Sequence, residues 1–297
     1  MFDTAGYLRR LRIGDPGAPG VAALQTLHKA HVEWVAYEAL DIQLHRPTSI
    51  YPYESAERIV RDHRGGYCYH LNGAFSLLLS HLGYEVVWHR AGVQNHTDAA
   101  PPGADRANHL ALTIHGLESE NCPSGIWLVD VGLGDALHQP IPLHEGTYVQ
   151  GPFRYQLRRS AVEPRGWRLD HDPVGSFAGM DFRVQPAAVD EFTERHLYLS
   201  TSPDSGFVRT CCVMRRDATG IDILKGCVLG RIGSSSEQRT LETQAEWFAA
   251  LADIFDLPLV DVDATARSAL WNRVQRAHDA WLESRKGAGA RRYTDIV

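Results

Sequence analysis

The 297-residue sequence lacks any apolar run near the roughly 18 residues that a bilayer-spanning helix needs. It lacks an excess of basic charge. Lys+Arg 30 against Asp+Glu 36 gives a formal net charge of -6, so the broad cationic face that nucleic acid requires is missing. A local arginine cluster holding a small anion is still compatible with that balance. Cysteine is scarce: five residues, an odd number, make no disulfide framework in a chain of this length. There is no Cys-x-x-Cys and no His-Glu-x-x-His, so no metal is expected. A Walker A loop, a dinucleotide fingerprint and internal repeats are also absent. The opening Met1-Phe2-Asp3-Thr4 carries no signal-peptide pattern. The expectation is a reduced, cytoplasmic protein with neither a membrane nor a nucleic acid as partner.

What is present suffices for a sizeable core. The chain is 44% hydrophobic and 22% charged, and its length suggests two or three subdomains. One stretch organises it: Arg64-Gly65-Gly66-Tyr67-Cys68-Tyr69-His70-Leu71-Asn72-Gly73. Behind Cys68, Leu71, Phe75, Leu78, Leu79 and Leu82 recur at helical spacing, and Gly83 ends the run. Two glycines before and a helix after place Cys68 on a tight turn at a helix N-terminus. There the macrodipole and free backbone N–H groups favour a thiolate, the form that attacks acyl groups. A buried structural cysteine is the competing reading, and only residues further along the chain decide against it.

In chain order, residues 1–20 read as irregular, with a turn at Gly14-Asp15-Pro16-Gly17. A helix is expected from Val21 to about Ala39, and a short one capped by Ser55 through Arg61. The period then changes. Glu85–Arg90, His109–His115 and Ile126–Val131 read as strands. His109–His115 alternates, with Leu110, Leu112 and Ile114 on one face and His109, Ala111 and Thr113 on the other. Short strands continue to about residue 185, as in a small antiparallel barrel or sandwich. Ala187–Leu199 reads as helix, and Phe207–Arg215 with Gly220–Leu229 as a hairpin. Thr243 and Glu246 have capping-box spacing before a helix. A last helix is expected from about Ala264 to Arg285, with a fraying tail at 287–292.

A nucleophilic thiol needs a base, and the base needs an orienting group. His109 opens a strand after a polar loop. Asp130 sits between Val129 and Val131, where a carboxylate is costly without a partner. Neighbouring strands would bring Asp130 beside His109, with the imidazole facing Cys68. Any one of the three residues alone has an ordinary structural explanation; the joint pattern is what carries information. An oxyanion hole would draw on the Cys68 N–H, with the Tyr69 N–H as a second donor.

That joint pattern resembles the arylamine N-acetyltransferase family. The matching pieces are Arg64-Gly65-Gly66-Tyr67-Cys68-Tyr69 with Asn72, then Asn108-His109-Leu110-Ala111-Leu112, then Leu128-Val129-Asp130-Val131-Gly132-Leu133-Gly134. Tyr37-Glu38-Ala39-Leu40-Asp41-Ile42 upstream and Ser200-Thr201-Ser202-Pro203-Asp204-Ser205-Gly206-Phe207 downstream agree in order. The resemblance implies an α+β fold with a cysteine-protease-like Cys-His-Asp core. It divides the chain into a helical bundle with the nucleophile (1–84), an antiparallel β-barrel with His and Asp (85–186), and an interdomain helix with an α/β lid (187–297). It implies a catalytic triad of Cys68, His109 and Asp130, acetyl-CoA as co-substrate with no bound cofactor, and an arylamine or hydrazine acceptor served by a ping-pong cycle. Tyr69, Gly132, Leu133, Gly134 and Phe207 would contact substrate or CoA. Arg64 and Glu38 match positions of a structural ion pair behind the nucleophile.

The sequence departs from the family at three places. His70 stands where an acidic residue is usual, and reads as structural. Ala39 stands where Asn often follows Glu38. The 21-residue gap from His109 to Asp130 holds an extra loop, Glu118–Gly125. The same triad also suits an amide synthase drawing on a larger acyl thioester in secondary metabolism, or a cysteine hydrolase.

Overall fold

Helical periodicity concentrates in the first third of the chain, and so do helices. The computed structural model describes residues 2–285; the tail at 287–292 lies outside them. The first helix, α1 (Thr4–Arg10), lies in a stretch expected to be irregular. Asp3 caps it by accepting the Gly6 N–H at 2.7 Å, and Tyr7 anchors it through a 3.0 Å hydrogen bond with His31 Nε2. Helix α2 (Val21–Trp34) ends five residues earlier than expected. Val35 turns extended, and β1 (Tyr37–Glu38) pairs with a strand from the far end of the chain, Tyr37 opposite Met214 and Glu38 opposite Val213. Tertiary pairing overrides the helical pattern there. After α3 (Leu40–Gln43), α4 (Pro52–Arg61) begins at its proline, whose missing N–H is not needed in the first turn. Ser55, expected as its cap, is instead buried inside the helix. Helix α5 (Cys68–His81) follows, closed by Leu82 and by Gly83 at φ +91°.

An eight-stranded antiparallel sheet comes next: β2 (Glu85–Gln94), β3 (His109–His115), β4 (Trp127–Val129), β5 (Ile141–Pro142), β6 (Gly146–Gln150), β7 (Phe153–Arg159), β8 (Trp167–Asp170) and β9 (Gly179–Pro186). Its order, β5-β4-β3-β2-β9-β8-β7-β6, wraps into a nearly closed barrel. The two faces of β3 meet two different cores. Leu110, Leu112 and Ile114 pack with Phe75, Leu78 and Leu79 of α5, while Ala111 joins Leu128, Phe153 and Phe182 inside the barrel. A strand buried on both sides is a rigid mount for whatever its end carries.

The remainder holds α6 (Thr193–Thr201), α7 (Gly206–Arg209) and a second sheet of β10 (Cys212–Arg216), β11 (Gly220–Lys225), β12 (Val228–Gly233) and β13 (Ser236–Thr240), with β1 on its edge. Phe207, expected on a strand, lies in α7, which Ser205 caps; the strand starts only at Cys212. The expected strand Gly220–Leu229 is broken by Gly226 at φ +56°. The turn at Asp217 forms as expected, its Oδ1 accepting the Thr219 and Gly220 N–H groups at 2.7 and 2.9 Å. Helix α8 (Gln244–Phe255) has the Thr243–Glu246 capping box, and α9 (Ala264–Arg285) has the expected bounds. Among the described residues no helix is long and apolar enough to cross a membrane.

Candidate active site

Cys68 is the first residue of α5, with extended Tyr67 before it. The backbone N–H groups of Cys68 and Tyr69 therefore open the helix and have no intrahelical acceptor. Gly65 is required by close approach: a Cβ there would lie 1.8 Å from the Ala36 carbonyl oxygen. Gly132 approaches from the other side, where a Cβ would meet Cys68 Cα at 2.7 Å and Asn72 Nδ2 at 2.8 Å. The loop after β4 thus seats directly on the start of α5.

That loop carries Asp130. Its Oδ2 is 2.6 Å from His109 Nε2. Its Oδ1 accepts from Asn72 Nδ2 at 2.8 Å and from the Gly132 N–H at 3.0 Å. Asn72 also donates to Leu110 O at 2.6 Å and accepts the Val131 N–H at 2.9 Å. Behind it, His28 Nε2 accepts the Asp130 N–H at 3.3 Å; burial lowers His28 to about 4, which keeps it the neutral acceptor this bond needs. His109 and Asp130 are both buried, and every oxygen of the carboxylate is satisfied. The other nitrogen of the His109 ring is not engaged by Asp130, and the Cys68 sulfur, which donates to Asn108 O at 3.7 Å, is among the groups acting on the imidazole. Burial alone would lower His109. The Asp130 carboxylate, and then the Cys68 sulfur, outweigh burial and lift it to about 10. At neutral pH the imidazolium is favoured, which is the form that stabilises a neighbouring thiolate.

Arg64 and Glu38 meet behind the nucleophile at 3.2 Å, within a larger network. Arg58 bonds Glu38 at 2.7 Å and also pairs with Asp41; Arg64 reaches Asp41 at 3.1 Å. Burial would raise the Glu38 pKa, yet Arg64 and Arg58 hold it down at about 2. No group of metal-binding side chains is found among the described residues.

A cavity of about 360 Å³ opens onto Cys68 and His109. Gly132, Leu133 and Phe207 line it, Phe207 stacking on Tyr67 with ring centroids 4.9 Å apart. Two residues expected at the substrate do not. The Tyr69 side chain points away into the core, its hydroxyl on Ala107 O at 2.5 Å and its ring against Phe192, so only its backbone N–H stays at the site. Gly134, at φ +77°, packs against Tyr37 and Met214 and is not itself among the residues lining the cavity. His70 is buried against Tyr67, outside the cavity lining. Sequence reading assigned no role to Asn72, although it lies one turn after Cys68 on the same helix face. Tyr37 and Asn108, which line the cavity, stood only within matching motif pieces without a role, and the lining Arg106 and Arg195 were not singled out.

A family model described as N-acetyltransferase matches residues 20–264. The arylamine N-acetyltransferase of Mycolicibacterium smegmatis is 30% identical over 289 residues, covering 90% of this chain and 98% of that protein. The arylamine N-acetyltransferase / N-hydroxyarylamine O-acetyltransferase of Salmonella typhimurium is 31% identical over 162 residues, covering 54% of this chain and 50% of that protein. The structure of the Mycobacterium marinum arylamine N-acetyltransferase in complex with CoA superposes with a TM-score of 0.81 at 26% identity, over 93% of this chain and 99% of that one.

Proposed function

This chain belongs to the arylamine N-acetyltransferase family, and from that membership and the geometry around Cys68 we propose that it moves an acetyl group from acetyl-CoA to an arylamine or hydrazine. The observation that carries the reading is the 2.6 Å His109–Asp130 contact behind a helix-opening cysteine that faces a cavity. The Cys68 thiolate attacks the thioester carbonyl. The Cys68 and Tyr69 N–H groups receive the developing oxyanion. Collapse expels the CoA thiolate, which takes the proton held by His109, and leaves acetyl-Cys68. The amine then attacks the acetyl carbonyl, and neutral His109 takes its proton. The second collapse releases the amide and restores the thiolate–imidazolium pair. Asp130 holds the ring orientation and balances the imidazolium charge throughout. Arg64 and Glu38 support the turn and take no part in the chemistry.

All five cysteines are free, as a chemistry that depends on a reduced thiol requires, and we place it in the cytoplasm. Initial rates measured against both substrates should give parallel double-reciprocal lines, because CoA leaves before the amine reacts. Intersecting lines would contradict the covalent cycle. Cys68→Ala should abolish turnover with the circular dichroism spectrum unchanged.

A further inference from the structure

Helix α6 supplies Arg195, Tyr198 and Leu199 to the cavity wall, yet it buries no residue fully. Nine residues with so little burial make a helix that needs ties to hold its place. At its far end Leu199 packs on the core, and its carbonyl accepts from Ser205 Oγ at 2.6 Å. Toward the catalytic turn the tie is His196. Its Nε2 lies 2.9 Å from Thr48 O, in the segment between α3 and α4. A carbonyl only accepts, so Nε2 carries the proton. The neutral ring then offers a lone pair at Nδ1, and the Tyr67 hydroxyl donates to it. Burial lowers His196, which favours this neutral form. The His196 and Tyr67 rings also stack, with centroids 6.0 Å apart and planes 27° from parallel.

Tyr67 is the residue before the nucleophile and is 1% exposed. Its carbonyl accepts the His70 and Leu71 N–H groups at 2.9 and 3.1 Å, opening α5. Its side chain therefore joins the catalytic turn to the cavity wall. Helix α7 is attached differently. Phe207 stacks on Tyr67, but Gln43 Nε2 also donates to Phe207 O and Val208 O at 2.5 and 3.2 Å, and Arg273 Nη2 to Val208 O at 3.3 Å. Removing the Tyr67 hydroxyl would thus loosen α6 and leave α7 in place. It would also leave the triad in place, because the bonds among His109, Asp130 and Asn72 involve neither Tyr67 nor His196.

We propose that His196 is a positioning residue: it latches α6 to Tyr67 and Thr48 and so fixes the cavity wall that the substrates meet beside Cys68. The role in turnover rests on the acyl-transfer reading of the cavity. The latch is therefore read first without turnover, by hydrogen exchange over residues 193–201 and 68–81. Tyr67→Phe keeps the ring and removes the hydroxyl. His196→Phe keeps a stacking ring and removes both bonds. In each, α6 exchanges roughly tenfold faster, the size expected for one lost hydrogen bond, and α5 exchanges as in wild type. Iodoacetamide alkylates Cys68 at the wild-type rate and with the wild-type pH profile. In turnover, KM for the arylamine rises by roughly tenfold and kcat stays within about twofold. The double variant is no worse than His196→Phe, because a hydroxyl without its partner has nothing more to lose. His196→Asn, which keeps an acceptor for Tyr67, recovers part of the loss. Unchanged α6 exchange in both variants overturns the proposal. Faster exchange that spreads equally to α5 also overturns it, as general destabilisation. A shifted alkylation profile does so too, because the pair would then serve the thiolate, as does a loosened α6 with KM unaltered. If the wild-type protein takes up no acetyl group from acetyl-CoA while α6 still loosens in both variants, the acyl-transfer reading fails and the latch stands.

Discussion

At the scale of single residues, the site is a chain of satisfied polar groups ending in one reactive sulfur. Asp130 accepts from His109, Asn72 and the Gly132 N–H, so its charge is fixed in place before any substrate arrives. Asp130→Asn keeps the shape and removes the charge that favours the His109 imidazolium. Turnover should fall on the order of 10³-fold or more, read as kcat at saturating amine. The same substitution has a stability signature. His109 is raised from 6.5 to about 10, so its contribution to folding is full below pH 6.5 and fades as pH rises through about 10. Urea unfolding should show Asp130→Asn weakest relative to wild type at about pH 6.5 and just below, with the difference shrinking as pH rises toward 10. A constant difference across that range would contradict the charge argument. The three reactive positions were legible in the sequence only together, as a glycine-flanked cysteine, a strand-opening histidine and a carboxylate in an apolar run. Asn72 was marked only as part of the motif; its role was not legible, because a buried asparagine on an apolar helix face gives no signal of its function until its partners are known.

At the scale of elements, two close approaches hold the nucleophile where the base can reach it. A Cβ on Gly132 would strike Cys68 Cα and Asn72. Gly132→Ala should therefore displace the start of α5, lowering kcat by roughly 10²-fold and stability by about 1–3 kcal/mol. Gly14→Ala, with nothing within 4 Å of its Cβ, should leave both unchanged. The second device is the Arg58–Arg64–Glu38–Asp41 network. Glu38 is held at about 2, below its usual 4.5, so its stabilisation is present above pH 4.5 and is lost as pH falls through about 2. Arg64→Met leaves a buried carboxylate with fewer partners. It should cost about 3–5 kcal/mol and move the acid-unfolding midpoint to higher pH. Elements whose own pattern decides them were legible: α5 from apolar spacing, β3 from alternation, α8 from its cap. Those decided by distant partners were not. Strand β1 exists because Met214 and Val213 pair with it, and α1 because Asp3 caps it and Tyr7 reaches His31.

At the scale of the molecule, the nucleophile and its base come from different layers. Helix α5 supplies Cys68, and the barrel supplies His109 and Asp130, with β3 packed on both faces to hold them in register. The antiparallel barrel was legible from short alternating strands, whereas the closure of the cavity by α6 and α7 was not, since α6 buries no residue fully. The central claim is that this arrangement makes Cys68 an acyl carrier. Its most direct test is the intact mass of the protein after mixing with acetyl-CoA alone, and again after adding an arylamine. The account predicts one acetyl adduct, located on Cys68, that disappears when the amine is added. A protein that turns over the amine without ever carrying the adduct would contradict it.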